Sequence, residues 1–268
     1  MTVAPFTLMC LSLATLFVAL LPVVLYRRLR GPFAFDWRAT IAGVAVFALF
    51  ATVIERALNG YLLHDNPVTA SSLRQPILFV VYGALAAGVC EEVGRYLAMR
   101  MLLRRRAGAS LATDGTGLAY GIGHGGAEAW LVGVLVQLQW IVFAVLANRG
   151  ELDDHLANLT IDGVLRVHLV LASLSPQVAL VFAVERTAAF VFQLGFSVLM
   201  WRGVRAGWKG ILPVAIVVHA LTDVPAALYQ ARLVSLIAVD GVYALLAVAL
   251  AFVLFRRCWP PRRAAGGV

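Results

Sequence analysis

Four short motifs hold most of the residues able to do chemistry. Glu91, Glu92 and Arg95 stand together in CEEVGRY, and His124 and Glu128 lie four residues apart in GIGHGGAE. Glu185 and Arg186 are adjacent, with Gln193 seven positions further on, and His219 and Asp223 repeat the spacing of four in HALTD. Neutral imidazole and carboxylate are the ligands of a catalytic zinc, which takes three protein donors and keeps a position for water. The metal lowers the pKa of that water toward about 7, and a nearby carboxylate removes its proton. At a helical spacing of four, the second residue shares the histidine's face. There it can ligate as well, or orient the ring by accepting its other N–H.

These residues sit in a chain made for lipid. Of 268 residues, 62% are hydrophobic and 13% charged, where soluble chains have about 45–50% and about 25%. Mean hydropathy is +0.88. The balance excludes an ordinary soluble enzyme, a disordered chain and a disulfide scaffold; Cys10, Cys90 and Cys258 form no paired framework. Seven apolar segments, at about 4–26, 39–58, 76–103, 117–147, 177–201, 209–229 and 233–255, predict an all-α, polytopic membrane helix bundle. We read residues 1–268 as one integral-membrane domain, with the motifs in a core of about 76–230.

The net charge of +8 comes from 21 Arg and one Lys, Lys209, clustered at segment ends. Arg27, Arg28, Arg30 and Arg38 follow span one, and Arg104, Arg105 and Arg106 follow span three. Arg202, Arg205 and Lys209 separate spans five and six, and Arg256, Arg257, Arg262 and Arg263 close the chain. These are alternate loops, so excess basic charge marks one side as cytoplasmic: N-terminus out, C-terminus in, in the inner cell membrane. The opposite loops carry Asp65, Glu151, Asp153, Asp154 and Asp162. No basic stripe interleaved with aromatics is present, so no nucleic-acid partner is expected.

Ionisable groups at mid-membrane cost about 2.5–3.5 kcal/mol each on insertion scales. At about 1.5 Å per residue, Glu92, His124 and His219 lie about 16, 10 and 15 Å from the basic ends of their spans, which biases the cluster toward the cytoplasm. Gly121, Gly123, Gly125 and Gly126 in span four, and Ala84, Ala87, Gly88 and Ala98 in span three, allow close helix approach. Each motif also has a plain structural reading: Glu91–Arg95 as a self-neutralising pair, His124 as a packing donor, His219–Asp223 as a bundle contact. Glu185 and Arg186 should point to different faces and need separate partners. Glu55 and Arg56 read as a solvated boundary, and His64, His155 and His168 as surface residues. HExxH, GxSxG, a P-loop and a dinucleotide fingerprint are absent.

The stretches EEVGRY (Glu91 to Tyr96), AYGIGHGGAEA (Ala119 to Ala129), VERTAAFVFQLGFSVL (Val184 to Leu199) and HALTDVPAALYQ (His219 to Gln230) resemble the YhfC family of predicted intramembrane metalloproteases. That family is similar to the wider group of CAAX-prenyl endopeptidases and bacteriocin-processing membrane proteins. The resemblance implies that Glu91 and Glu92 bind or activate the attacking water. It matches His124 to the histidine of the family's second motif, and implies that His219 and Asp223 hold a metal or stabilise the oxyanion, in a cavity open to the cytosol. Where the family commonly has His, this chain has Gln193, a poor zinc ligand.

The expectation is therefore an intramembrane endopeptidase acting on a membrane-associated protein or peptide. One divalent metal, zinc by its ligands, would be held by His124, His219 and Glu185 or a span-three glutamate. Glu91 or Glu92 would be the base, and Asp223 or Glu128 the orienting carboxylate; a metal-free glutamate and histidine mechanism stays open. The alternatives are a non-catalytic membrane scaffold, toward which Gln193 points, and a proton- or metal-coupled transporter, against which stands the lack of an inverted repeat.

Overall fold

The computed structural model describes residues 2–105 and 114–258. Arg106, Arg262, Arg263 and the tail from Ala264 lie outside them. The described residues form helices and connecting turns, with no strand among them. Seven helices are long and apolar enough to cross a membrane: α1 Pro5–Leu29, α2 Trp37–Asp65, α3 Pro76–Arg105, α4 Gly115–Arg149, α5 Pro176–Arg205, α6 Ile211–Gln230 and α7 Leu236–Cys258. Helix is the required state here, because lipid offers no partner for a free N–H or C=O. The chain is a multi-pass membrane protein.

Starts and stops follow local chemistry. Ser175 caps α5 by accepting from the Val178 N–H, and Pro176 fills the first turn. Helix α2 runs seven residues past its expected end at 58, since nothing breaks it before Asn66 and Pro67. A residue that precedes proline disfavours the helical region. Two π-helical stretches, Phe50–Glu55 and Tyr61–Asp65, interrupt its regular winding, and a third, Ala129–Val134, interrupts α4 just past Glu128.

Helix α4 lies between α2 and α5. Gly117, Gly121 and Gly125, four residues apart, face Trp201, Leu194 with Ser197, and Gln193 with Phe190 on α5. On the other side, Gly123 rests on the Thr40 carbonyl, and Gly43 of α2 rests on the Tyr120 carbonyl. A Cβ added to Gly88 of α3 would likewise stand 3.1 Å from the Ile216 carbonyl on α6. In lipid, where apolar burial drives little association, such backbone approach is what holds helices together.

The two ends of the bundle differ. Arg27 and Arg28, Arg104 and Arg105, Arg202 and Arg205, and Arg256 and Arg257 occupy the last turns of α1, α3, α5 and α7. Asp114, at the start of α4, takes two hydrogen bonds from Arg202, at 3.0 and 2.5 Å, and Arg202 also reaches the Arg257 carbonyl. At the opposite end, Asn148 exchanges two hydrogen bonds with the Val3 backbone. A short helix, Ile161–Ser173, there packs Val167 and Leu171 onto Ala144, Leu152 and Leu156.

Candidate active site

The four motifs meet near the middle of the bundle. Glu91 is about 21–23 Å from either end of α3, at about 1.5 Å per residue. His124 is fully buried, between Tyr120, stacked at 5.8 Å, and Phe47, edge-on at 5.2 Å. Its Nε2 lies 2.9 Å from Glu91 Oε2. An ionised carboxylate only accepts, so the ring carries its proton at Nε2. The second pair is built the same way: His219 Nδ1 lies 2.8 Å from Glu92 Oε1, while its Nε2 is 3.4 Å from Asp223 Oδ2. Phe196 stacks on the His219 ring at 4.5 Å.

Arg95 ties the pairs together. Its side chain is inaccessible to solvent. Nε donates to Glu92 Oε1 at 3.1 Å, and one terminal nitrogen donates to the Gln193 carbonyl at 3.2 Å and to Ser197 Oγ at 2.5 Å. The other donates to Gln193 Oε1 at 2.5 Å and lies 3.7 Å from Glu91 Oε2. The adjacent paired glutamates thus part: Glu91 turns to His124, and Glu92 to Arg95 and His219.

Gln193 completes the network. Its Nε2 donates to Glu91 Oε2 at 3.0 Å and to Glu128 Oε2 at 2.9 Å, while its Oε1 accepts from Arg95. An amide offers an acceptor and two donors. A histidine has only two ring nitrogens and could not make all three contacts. Glu128 also receives Arg186 at 3.4 Å, and Arg186 pairs with Glu185 at 2.6 Å. Glu185 and Arg186 are therefore partners of each other, contrary to expectation, with the Arg186 side chain lying against Gly133.

A cavity of about 430 Å³ reaches this cluster. Glu91, Glu128, Glu185, Gln193, His219 and Asp223 line it, while Glu92 and His124 stand behind its wall. Glu55 lines it too, with Thr52 and Asn59 of α2, and is no solvated boundary residue. Asn59 donates to Glu55 at 3.4 Å and accepts from the Tyr82 hydroxyl. The signal was present in the sequence as three polar residues at positions 52, 55 and 59, helical spacing in an apolar run. Tyr243 of α7 was also missed; its hydroxyl donates to the Thr222 carbonyl and accepts from the Ala226 N–H, spanning the rung beside Pro225.

The cavity does not lead toward the arginine-rich end. From Glu91 it follows the other half of the bundle to Leu63, Phe79 and Gln230. The arginine-side half is filled by Met99, Leu102, Tyr120, Met200, Trp201 and Ile211, and below these by Phe33, Leu118 and Val198. Depths measured from the basic ends alone suggested a cytosolic bias; Glu91 is midway along α3, and it is the apolar plug that decides which half is open.

The model of one protein family, described as YhfC intramembrane metalloprotease, matches residues 17–244. The chain belongs to that family. It is also 32% identical over 239 residues to a Bacillus subtilis (strain 168) protein described as uncharacterized membrane protein YhfC, covering 88% of this chain and 91% of the relative. No solved structure matches.

The family's description implies a metal. Among the described residues, no three His, Cys, Asp or Glu side chains are gathered so as to hold one. His124, His219 and Glu185 are not brought together: each histidine is hydrogen-bonded to its own glutamate, and Glu185 is held by Arg186. The Arg95 guanidinium lies 3.4 Å from His124 Nε2, where a ligated dication would meet a fixed positive charge. His124 Nδ1, buried without a hydrogen-bond partner among the described residues, is the ring nitrogen that does not face Glu91. In this YhfC family member the donor set does not fit a resident metal.

Proposed function

We propose that this chain is an intramembrane endopeptidase in which Glu91 activates water directly. The observation that carries the reading is the Glu91–His124 pair, 2.9 Å apart, at the inner wall of a cavity that reaches mid-membrane. A water on Glu91 gives up its proton to the carboxylate as its oxygen attacks the peptide carbonyl carbon. His124, held by Tyr120 and Phe47, keeps Glu91 oriented and ionised. His219, flanked by Glu92 and Asp223, is placed to donate to the carbonyl oxygen as negative charge develops there. The proton on Glu91 then passes to the leaving amine, the C–N bond breaks, and the carboxylate is restored. Arg95 and Glu92, behind the cavity wall, and Gln193, on it, position these groups. Gln193 supports catalysis over the scaffold alternative, because it orients Glu91 with contacts that a histidine could not supply.

The test is cleavage of a library of single-span membrane peptides by the purified protein in proteoliposomes. Losing a general base costs about 10²–10⁴-fold, so Glu91→Gln should lower cleavage by that order while eluting as wild type does. Chelation should leave the rate unchanged. Cleavage by Glu91→Gln at the wild-type rate would sink the assignment, and loss of activity on chelation, restored by zinc, would replace it with a metal mechanism.

A further inference from the structure

We propose that the active site receives its substrate from the extracytoplasmic side, so that the peptide bonds it cuts belong to segments presented on, or in the outer half of, the membrane. The inference rests on the peptidase reading for the word substrate, but the direction of access stands on separate observations. Basic clusters in alternate loops place the ends of α1, α3, α5 and α7 on the cytoplasmic side. All four gather at one end of the bundle, bound across α4, α5 and α7 by Asp114 and Arg202.

Among the described residues, the half of the bundle from Glu91 toward that end is packed with apolar side chains. Met99, Met200 and Trp201 have no accessible surface, and Ile211 has 1%. In the other direction the cavity is continuous from Glu91 and His219 to the half-buried Phe79 and the exposed Gln230, at the far ends of α3 and α6. Its α2 wall is built from Thr52, Glu55 and Asn59 and is fastened to α3 by the Tyr82 hydroxyl on Asn59. An extended peptide entering beside Gln230 meets Asp223 and His219 before Glu91, in the order in which α6 and α3 present them.

Thiol accessibility tests this with the full chain, after replacing Cys10, Cys90 and Cys258 by Ser. Single cysteines are placed at Phe79→Cys and Gln230→Cys near the mouth, Ala87→Cys one turn from Glu91, and Lys209→Cys at the arginine end. Spheroplasts and inverted membrane vesicles are treated with a membrane-impermeant cationic methanethiosulfonate, then probed with a mass-tagged maleimide. In spheroplasts, Phe79→Cys, Gln230→Cys and Ala87→Cys should lose the maleimide shift while Lys209→Cys retains it, and inverted vesicles should show the reverse. Blocking of Ala87→Cys from inverted vesicles alone, or from neither side, overturns the proposal. So does Lys209→Cys reacting in spheroplasts. The readout needs no catalysis. A chain labelled as expected that cuts nothing therefore fails only the peptidase reading, and one that cuts peptides but is labelled from the cytoplasmic side fails only this inference.

Discussion

The acidic residues of the site share a small set of fixed donors, and Arg95 joins the Glu92 pair to Gln193. It serves Glu92, the Gln193 side chain and carbonyl, and Ser197 while fully buried. Removing one member of a buried ion pair costs about 3–5 kcal/mol, because the remaining charge is left uncompensated. Arg95→Leu should therefore lower the thermal unfolding midpoint in detergent far more than Glu91→Gln, which keeps an amide within reach of His124 and Gln193. Equal midpoints for Arg95→Leu and wild type, followed by tryptophan fluorescence, would show that Glu92 finds another partner. Glu92 Oε2 already has none in the folded chain, so little slack is available.

Among the elements, α4 sets the geometry of everything around it. Adding a Cβ at Gly123 drives it into the Thr40 carbonyl, a backbone atom that cannot turn aside. Overpacking of this kind costs about 1–3 kcal/mol, and here it would separate α2 from α4 at the level of His124. Gly123→Ala should lower both the melting temperature and the cleavage rate. Gly60→Ala is the matched control, since a Cβ there meets nothing within 4 Å and the residue is helical. It should be neutral or stabilising, by up to about 1 kcal/mol. The contrast separates the effect of close approach from that of glycine as such. The π-helical stretch after Glu128 belongs to the same design: one extra residue in a turn re-aims the helix face where Glu128 must meet Gln193 and Arg186.

At the scale of the whole molecule, the plugged arginine end behaves as a lock between helices. Burial acts to raise the Asp114 carboxyl pKa, but the hydrogen bonds and charge of Arg202 outweigh it and hold it below the usual range. A depressed carboxylate stabilises the fold above its unfolded pKa of about 3.9 and loses that contribution as pH falls through the folded value. Arg202 is partly exposed, so screening limits the pair to about 1 kcal/mol or less. Asp114→Asn should unfold at slightly lower temperature at neutral pH. The difference should shrink in high salt, and begin to fade as pH falls below about 3.9 toward the depressed folded value. A gap that persists in acid would assign the loss to packing rather than to charge.

The sequence by itself determined the class of protein and picked out the charged residues that gather around one cavity, though not Glu55. Hydropathy marked seven spans, because lipid tolerates only closed backbone hydrogen bonding. The cost of intramembrane charge singled out Glu91, Glu92, His124, Glu128, Glu185, His219 and Asp223, and all lie in or directly behind one cavity. Motif order also carried the family. Tertiary structure alone decided the pairing, because a spacing along one helix says nothing of what stands across from it. Glu91 and Glu92 are neighbours in sequence yet serve different histidines; Glu185 goes to Arg186, and Gln193 holds two carboxylates at once. Nor could depth along single helices show which half of the bundle was filled. That depends on how Met99, Met200, Trp201 and Ile211, from three helices, close on one another.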